Sequence, residues 1–374
     1  MTDFSRLILP QFQYNQNSQK EQVKIVQKTN LFRRFRPAVL LFAVAITASL
    51  GGCAQKSGVT ASSGASSGSS SEPFTVNVSF ATGMTGIGNQ FGIAKGLYKQ
   101  AGITLSPVQV TDKISAFASG AIDLADGDPG TFVPAASNGV PFKIVANMWR
   151  STGAYWIIAN NNIKTFSDLK GKTVGTATAS GGMRVTTMEV LSKNGINPNK
   201  DVSLVADGND QSCYAALLSG QVDATIIHQP FASLAEKAGT GHALAKTWEY
   251  VTDYDTGAIV ASNKLIQKHP DYLQRLLNVY FQANEYARTH SSEFVPWAAQ
   301  YLSQDTDVTQ NALDSEKVLW TDDPIVDPER LTATQKLLVK YNFLPGVVSV
   351  KEVVDNRFAE VTAKKLKLGK YAGK

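Results

Sequence analysis

The sequence is poor in cysteine and histidine, which limits the chemistry it can carry. Its 374 residues include two cysteines, Cys53 and Cys213, and four histidines with no close pairing. Cys53 belongs to the predicted leader junction described below, so Cys213 has no partner for an intramolecular disulfide. No metal-ligand spacing and no Ser/His/Asp arrangement is present. We therefore predict no cofactor, no metal and no catalytic residues.

The chain also lacks an excess of charge outside its first residues. The formal net charge is +5, but residues 1–52 hold seven Lys and Arg against two acidic residues, which leaves 29 basic and 29 acidic residues in the remainder. A neutral body gives no electrostatic basis for binding a polyanion. The composition therefore argues against a nucleic-acid partner. A hydrophobic content of 43% is enough for one large or two medium domains.

No apolar run is long enough to span a bilayer. The stretch from Ala38 to Leu50 holds roughly 13 residues, follows basic residues and is shorter than the roughly 20 that a transmembrane helix needs. It predicts a signal peptide over residues 1–52. The ending "LGGC" resembles the bacterial lipobox, which implies a lipid on Cys53; the alternative is an uncleaved signal anchor followed by an unrelated cysteine. Residues 53–73 are rich in Ser and Gly and predict a flexible tether.

Two similar phrases stand 100 residues apart in the body of the chain. They are "SGAIDLADGDPG" at 119–130 and "SGQVDATIIHQPF" at 219–231. Each follows an amphipathic helical pattern and contains a helix-ending Gly, a short apolar run and a polar cluster with a proline. The phrases predict a repeated unit of helix, buried parallel strand, polar turn and helix. In this unit Pro129 and Pro230 each begin the second helix, and Asp128 is the N-cap residue before Pro129.

A second pair of phrases fits the same plan. The strand-like "FTVNVSF" and "GKTVGT" each run into a Gly/Ser/Thr-rich turn that feeds a helical pattern. Such a turn leaves backbone N–H groups free at a helix N-terminus, which favours an anion or a polar oxygen. Two units of this kind predict two α/β lobes, and open α/β sheets bind ligands at the carboxyl ends of their strands. The repeated phrases are therefore predicted to be equivalent edges of one cleft.

The order of five phrases resembles one family of binding proteins. The phrases are "GLYKQAGI", "SGAIDLADGDPG", "TFSDLKGKTVGTATASGGMRVTTMEVLSKNGI", "ALLSGQVDATIIHQPF" and "VVSVKEVVDNRFAEV". Together they resemble the nitrate/sulfonate/taurine/thiamine-precursor class of ABC-transporter substrate-binding proteins, over essentially all of residues 74–361. The resemblance implies an α/β fold of the two-lobed periplasmic-binding-protein type (type II), in which the chain crosses twice between lobes.

The resemblance and the composition give the domain boundaries. The first part of lobe 1 covers residues 74–150, lobe 2 covers 155–254, and residues 260–374 return to lobe 1 and add C-terminal helices. Crossings are expected at "STGAYWII" and "DTGAIVAS". The segment from Pro270 onward keeps one apolar face and predicts a long helix.

Candidate ligand-binding residues stand at the ends of the predicted strands. In the first lobe they are Thr85, Asn89 and Gln90 in the turn 82–90, together with Asp128, with Asp126 close by. The candidates in the second lobe are Ser180, Gly181, Arg184, His228 and Gln229. In "HQPF" Gln229 stands where the family usually has an acidic residue. Near the first crossing Trp149, Tyr155 and Trp156 could stack on a flat ligand or form core.

These features predict a lipid-anchored, exported, monomeric protein that captures a small organic anion, such as an alkanesulfonate or taurine, and delivers it to an ABC permease and ATPase. The membrane is contacted through the lipid alone. An alternative ligand is a pyrimidine, a thiamine precursor or another small nitrogen-containing solute, favoured by His228, the nearby Asp residues and the aromatics. Two other classes stay open: an enzyme of the same fold, and a sensory or adhesive binding module without a transporter.

Overall fold

A computed structural model describes residues 74–148, 153–255 and 257–372. The predicted signal peptide, the predicted lipidation site Cys53, the predicted tether and Trp149 lie outside these ranges. In the described residues no helix is both long enough and apolar enough to cross a membrane.

In these described ranges ten strands form two five-stranded mixed sheets. The strands are β1 Thr75–Ser79, β2 Thr104–Pro107, β3 Leu124–Gly127, β4 Phe142–Asn147, β5 Trp156–Ala159, β6 Thr173–Gly175, β7 Ser203–Val205, β8 Ala224–Ile227, β9 His242–Lys246 and β10 Ala258–Ser262. The first sheet has the order β2-β1-β3-β10-β4 and the second the order β7-β6-β8-β5-β9. We call each sheet with its helices a lobe.

Fourteen α-helices lie in the described ranges. They are α1 Ile87–Ala94, α2 Leu97–Gln100, α3 Lys113–Ser119, α4 Pro129–Ser137, α5 Gly182–Lys193, α6 Asp210–Leu218, α7 Phe231–Lys237, α8 Asn263–Lys268, α9 Pro270–Thr289, α10 Ser291–Leu302, α11 Thr306–Glu316, α12 Pro328–Lys340, α13 Val350–Val353 and α14 Arg357–Leu366. Helix α9 begins at Pro270, as its apolar face predicted.

The strands of the two repeated phrases occupy equivalent places in the two sheets. β3 pairs in parallel with β1, and β8 pairs in parallel with β6. On their other sides they pair antiparallel, β3 with β10 and β8 with β5. The prediction of a parallel strand is therefore confirmed on one side of each strand and wrong on the other. The reason is that the first strand after each passage between the sheets runs opposite to its neighbour. This strand is β5 beside β8 in the second sheet and β10 beside β3 in the first.

The ends of the helices around these strands follow the sequence in most details. Gly120 ends α3 with φ 74°, and Gly220 after α6 has φ 72°, the left-handed conformation that Gly adopts without strain. Pro129 is the first residue of α4. Helix α7 begins at Phe231, so Pro230 precedes the helix instead of starting it, and that prediction is off by one residue.

Helix α12 connects the two lobes through its packing. It lies against α4 of the first lobe, and its residues Leu331 and Leu338 belong to an apolar cluster that also includes the buried strand residues Ile157 and Ile226 of the second sheet. At its end, Lys340 pairs with Glu189 of α5, whose Oε2 also accepts a hydrogen bond of 2.8 Å from the Tyr341 hydroxyl. The residues that follow β3 and β6 meet at the junction between the two lobes, which we call the cleft.

Candidate functional site

The second lobe presents the N-terminus of α5 to the cleft. Between β6 and α5 the chain makes a tight turn in which Ala177 has φ 58° and Gly181, the residue before the helix, has φ 86°. Asp207 fixes this turn, because its Oδ1 accepts from the Ala177 N–H at 2.8 Å and its Oδ2 accepts from the Thr225 hydroxyl at 2.6 Å. The turn directs the Gly182 N–H at the start of α5 toward the first lobe.

The first lobe contributes Asp128, which directly follows β3 and contacts the start of α5. Its Oδ2 accepts a hydrogen bond from the Gly182 N–H at 2.6 Å, across the cleft, and its Oδ1 accepts from the Tyr254 hydroxyl at 2.9 Å. Asp128 precedes α4 as predicted, but its side chain makes no cap hydrogen bond to that helix. Asp128 is therefore the N-cap residue of α4 by position, as predicted, while its carboxylate accepts from donors of the other lobe and of the segment after β9.

Glycines make this close approach possible. A Cβ atom on Gly182 would lie 2.6 Å from Asp128 Oδ1 and 2.6 Å from the Tyr254 hydroxyl oxygen. On the opposite wall, a Cβ atom on Gly130 would lie 2.3 Å from the same Tyr254 oxygen. Such distances are far below van der Waals contact, so at both positions only Gly leaves room for the contact.

Burial raises the pKa of both acidic groups in this contact, the Asp128 carboxyl and the Tyr254 hydroxyl. Burial raises the pKa of Asp128, and the hydrogen bonds from Gly182 and Tyr254 offset part of that rise. Burial also raises the pKa of Tyr254 well above its ordinary value, and the nearby Asp128 carboxylate raises it further. Tyr254 is therefore a protonated donor at neutral pH, and the carboxylate is held by one backbone and one phenolic donor.

Ser180, Gly181 and Arg184 lie together at the start of α5, as predicted. Ser180 is exposed and Gly181 is buried beneath it. The Arg184 guanidinium donates to Thr176 Oγ1 at 3.0 Å, which places it beside the turn. No carboxylate of the described residues forms an ion pair with Arg184, so its positive charge adds to that of the helix terminus.

His228 lies after β8, also at the cleft edge. Its Nδ1 is 3.0 Å from Asp210 Oδ1, and the same carboxylate oxygen accepts from the His228 backbone N–H at 3.0 Å. The Tyr155 ring meets the imidazole edge-on, with ring centroids 5.1 Å apart. Burial alone would raise the pKa of Asp210, but His228 lowers it overall by its charge and hydrogen bonds. His228 is thus oriented by Asp210 and partly covered by an aromatic ring.

Asn89 and Gln90 of the first-lobe turn make hydrogen bonds within their own lobe. Asn89 is fully buried, and its Oδ1 accepts from the Tyr98 hydroxyl at 2.5 Å. Gln90 Nε2 donates to the Ala81 carbonyl at 3.0 Å. Thr85 is partly buried in a short 3₁₀ helix over Met84–Gly86. The structure does not bring Asn89 and Gln90 into contact with Asp128.

The remaining candidates have contacts in the core or at its edge. Gln229 is buried, accepts from the Ser233 N–H at 3.1 Å and donates to the Ser315 hydroxyl of α11 at 3.2 Å. Trp156 is buried edge-on to Trp248. Asp126 is fully buried; its Oδ1 accepts from the Ala81 N–H at 2.7 Å, and Lys113 donates to its carbonyl at 2.6 Å.

Sequence reasoning missed three residues that shape the site: Tyr254, Asp207 and Asp210. Tyr254 stands in "DYDTG", just before the second predicted crossing, which was a signal for its position but not for its partner. The two aspartates precede or begin a helix and carry no local motif. Their roles depend on strands and turns that meet only in the folded chain.

The described residues hold few groups suited to catalysis. No cluster of three or more His, Cys, Asp or Glu in them could hold a metal ion. Cys213 is buried, and burial followed by the charges of Asp207 and Asp210 raises the pKa of its thiol. A thiol in that environment stays protonated and is a poor nucleophile.

Two α/β lobes that face each other across a cleft define the periplasmic-binding-protein fold. The alkanesulfonate-binding protein SsuA of Xanthomonas axonopodis pv. citri, solved with bound MOPS, aligns with 76% of this chain and 99% of its own at a TM-score of 0.67 and 19% identity. The desulfurization enzyme DSZB also shares the fold, with a TM-score of 0.58, 17% identity, and coverage of 78% of this chain and 99% of its own.

Sequence comparison gives the family. Residues 87–293, more than half of the chain, match the NMT1/THI5-like family model, and the chain belongs to that family. The binding protein YtlA of Bacillus subtilis (strain 168) is 25% identical over 285 residues, 73% of this chain and 85% of the relative. An aliphatic sulfonates-binding protein of the same organism is 27% identical over 224 residues, 59% of this chain and 66% of the relative.

Proposed function

We propose that this protein is the solute-binding component of an ABC importer and captures a small organic anion, such as an alkanesulfonate or taurine, between its lobes. One observation carries the proposal: the Gly182 N–H at the start of α5 already donates to a carboxylate oxygen at 2.6 Å. A site that binds the oxygen of a carboxylate has the donors needed for the oxygen of a sulfonate.

The charges around this site support an anionic ligand. The twelve-residue helix α5 directs the positive end of its dipole at the cleft. Arg184 stands in the first turn of that helix and forms no ion pair with a described carboxylate. Ser180 adds an exposed hydroxyl beside the same N–H groups. The names of the Bacillus subtilis and Xanthomonas relatives point in the same direction.

A flat nitrogen-containing solute, such as a pyrimidine, is the second candidate ligand. The observation that favours it is the grouping of His228 with Tyr155, whose rings meet edge-on at 5.1 Å beside the Asp210 carboxylate. An imidazole with a fixed orientation can hydrogen-bond a ring nitrogen, and a tyrosine ring can stack on the base. We rank it second because these groups do not explain the donors at the start of α5.

An enzymatic role is the weaker candidate, although a desulfurization enzyme shares the fold. The one described cysteine is buried and has a raised thiol pKa, so it is not an activated nucleophile. His228 Nδ1 faces Asp210, but the sequence carries no Ser/His/Asp arrangement of the kind that acyl transfer needs. Binding without chemistry accounts for the cleft with fewer assumptions.

We further propose that the protein is exported and anchored by a lipid on Cys53. The support is the short apolar run before "LGGC" and the Ser/Gly-rich segment after it. Replacing Cys53 with Ser is expected to move the protein from the membrane fraction to the soluble fraction of a bacterial host. Retention of the variant in the membrane, or release of the unaltered protein, would contradict the anchor.

The ligand proposal is tested by thermal shift followed by calorimetric titration of the purified protein. The panel holds ethanesulfonate, taurine, nitrate, sulfate, a hydroxymethylpyrimidine and a small amine. A ligand at about 100 times its Kd adds about 2.7 kcal/mol of stability, which produces a measurable rise in Tm. We expect the sulfonates to stabilise the protein. Stabilisation by the pyrimidine alone would select the second candidate, and stabilisation by neither would overturn the proposal.

Paired charge variants locate the ligand within the cleft. Arg184→Gln is expected to weaken ethanesulfonate binding about tenfold, because a charge-assisted contact is worth roughly 1.4 kcal/mol or more. Lys172→Gln makes the same charge change at an exposed position of the second lobe and is expected to leave the affinity unaltered. Equal effects of the two variants would show a long-range charge effect instead of a contact at α5.

A further inference from the structure

The position that an anionic solute would take at the start of α5 is occupied by a side chain of the protein itself. Asp128 reaches across from the first lobe and accepts from the Gly182 N–H at 2.6 Å and from the Tyr254 hydroxyl at 2.9 Å, with Thr131 Oγ1 3.5 Å away. These are the donors that a sulfonate or carboxylate group of a solute would use. Two anions cannot share them without strong like-charge repulsion.

The residues around the Asp128 carboxylate leave space for it because two of them are glycines. Gly182 and Gly130 face it from opposite lobes, and a Cβ atom at either position would clash with Asp128 or with the Tyr254 hydroxyl. Tyr254 comes shortly before the return of the chain to the first sheet, so its hydroxyl adds a third segment to the contact. The donors from α5 and from the segment before β10, together with the missing side chains, hold the carboxylate in one place.

We propose that Asp128 is an affinity-determining residue: its carboxylate is a tethered competitor that a solute anion must displace from the start of α5. This inference rests on the proposed function and adds a specific role for one residue of the same cleft. A solute reaches the donors only in the fraction of molecules where Asp128 has moved away. The apparent affinity is lower than the intrinsic affinity by that fraction.

The competition also gives the site a means of selection. A sulfonate carries three oxygens and can engage the Gly182 N–H, the Tyr254 hydroxyl and a further donor together, whereas the Asp128 carboxylate carries two. An anion that makes fewer or weaker contacts than the tethered carboxylate does not displace it. Asp128 therefore sets a minimum strength that a solute anion must exceed.

The test is calorimetric titration of ethanesulfonate, which has no amine that could pair with a carboxylate, into the purified protein and three variants. Asp128→Ala removes the competitor, and Asp128→Asn keeps its size but removes its charge. Asp253→Asn is the matched control, because it removes one negative charge from an exposed position one residue before Tyr254. We expect both Asp128 variants to bind ethanesulfonate about tenfold or more tightly, and the control to match the unaltered protein.

The outcomes separate this inference from the proposed function. If the unaltered protein binds ethanesulfonate and both Asp128 variants bind it equally or more weakly, Asp128 is no competitor and the inference alone is overturned. If neither the unaltered protein nor any variant binds an anion of the panel, the proposed function fails and the role of Asp128 in affinity fails with it.

A second measurement uses no solute. Spin labels at the exposed positions Ser137 in the first lobe and Lys200 in the second report the distance between lobes. Because Asp128 ties the lobes together, Asp128→Ala is expected to shift the distance distribution to longer values, while Asp253→Asn does not. Identical distributions in the unaltered protein and Asp128→Ala would show that the contact does not hold the lobes, which overturns the tether.

Discussion

At the scale of single residues, the segment that leads back to the first sheet contains Asp255, a buried carboxyl group with a raised pKa. Asp255 follows Tyr254 and is 4% exposed, and its backbone N–H donates to the Thr334 hydroxyl of α12 at 2.7 Å. The pKa of Asp255 is raised to about 7, chiefly by burial and to a smaller extent by Asp128 and Asp327, while Arg330 and the Gly257 N–H act in the opposite direction. The carboxyl group is therefore half-protonated near neutral pH.

This raised pKa predicts a pH-dependent stability. Because the folded-state pKa of Asp255 lies above its unfolded value of 3.8, its contribution to stability is complete below about pH 4 and is lost as the pH rises through about 7. The loss amounts to at most about 4 kcal/mol by pH 8. Asp255→Asn is expected to remove most of this dependence, measured as the free energy of unfolding in urea at pH 5, 6, 7 and 8.

The control for Asp255 is again Asp253→Asn, which changes an exposed carboxylate of the same segment. It is expected to keep the pH dependence of the unaltered protein. A pH dependence that is the same in Asp255→Asn and in the unaltered protein would place the titrating group elsewhere, for instance in Asp128, whose pKa is also raised.

Residue roles are only partly predictable from the sequence. The repeat identifies Asp123 and Asp223 as equivalent, and in the structure they have the same role, because each carboxylate accepts from the backbone of the neighbouring strand, at Asn77 and Thr173 respectively. The sequence also marks Asp128 as a candidate ligand residue, but its actual partners, Gly182 and Tyr254, lie 54 and 126 residues away in sequence. Local sequence patterns predict local partners, such as the backbone of an adjacent helix. They do not predict contacts between residues that are far apart in sequence and meet across the cleft.

At the scale of elements, helices and strands follow local signals closely. The start of α9 at Pro270 and the left-handed glycines after α3 and α6 rest on backbone geometry that a single residue type decides. Strand direction does not rest on local signals. β5 and β10 are buried strands of four and five residues that would fit either direction, and their antiparallel pairing is decided by the passage between sheets.

At the scale of the whole molecule, the path of the chain between the two sheets places the cleft between the lobes. The chain leaves the first sheet after β4 and returns to it with β10, and helix α12 packs on α4 of the first lobe and pairs with Glu189 of the second. The resemblance in the sequence predicted the two-lobed fold and the family, and both are confirmed. The ligand was not predictable to the same degree, because its identity depends on which donors and acceptors face one another once the lobes meet.

The proposed function places the anionic group of a small solute at the start of α5. A crystal structure of the protein, soaked or grown with ethanesulfonate at a concentration well above its measured Kd, shows directly whether a sulfonate binds there. We predict a sulfonate oxygen within hydrogen-bond distance, about 2.7–3.2 Å, of the Gly182 N–H, with the Asp128 carboxylate moved away from it. A sulfonate bound elsewhere, with Asp128 still hydrogen-bonded to Gly182, would contradict both the proposed site and the displacement of Asp128.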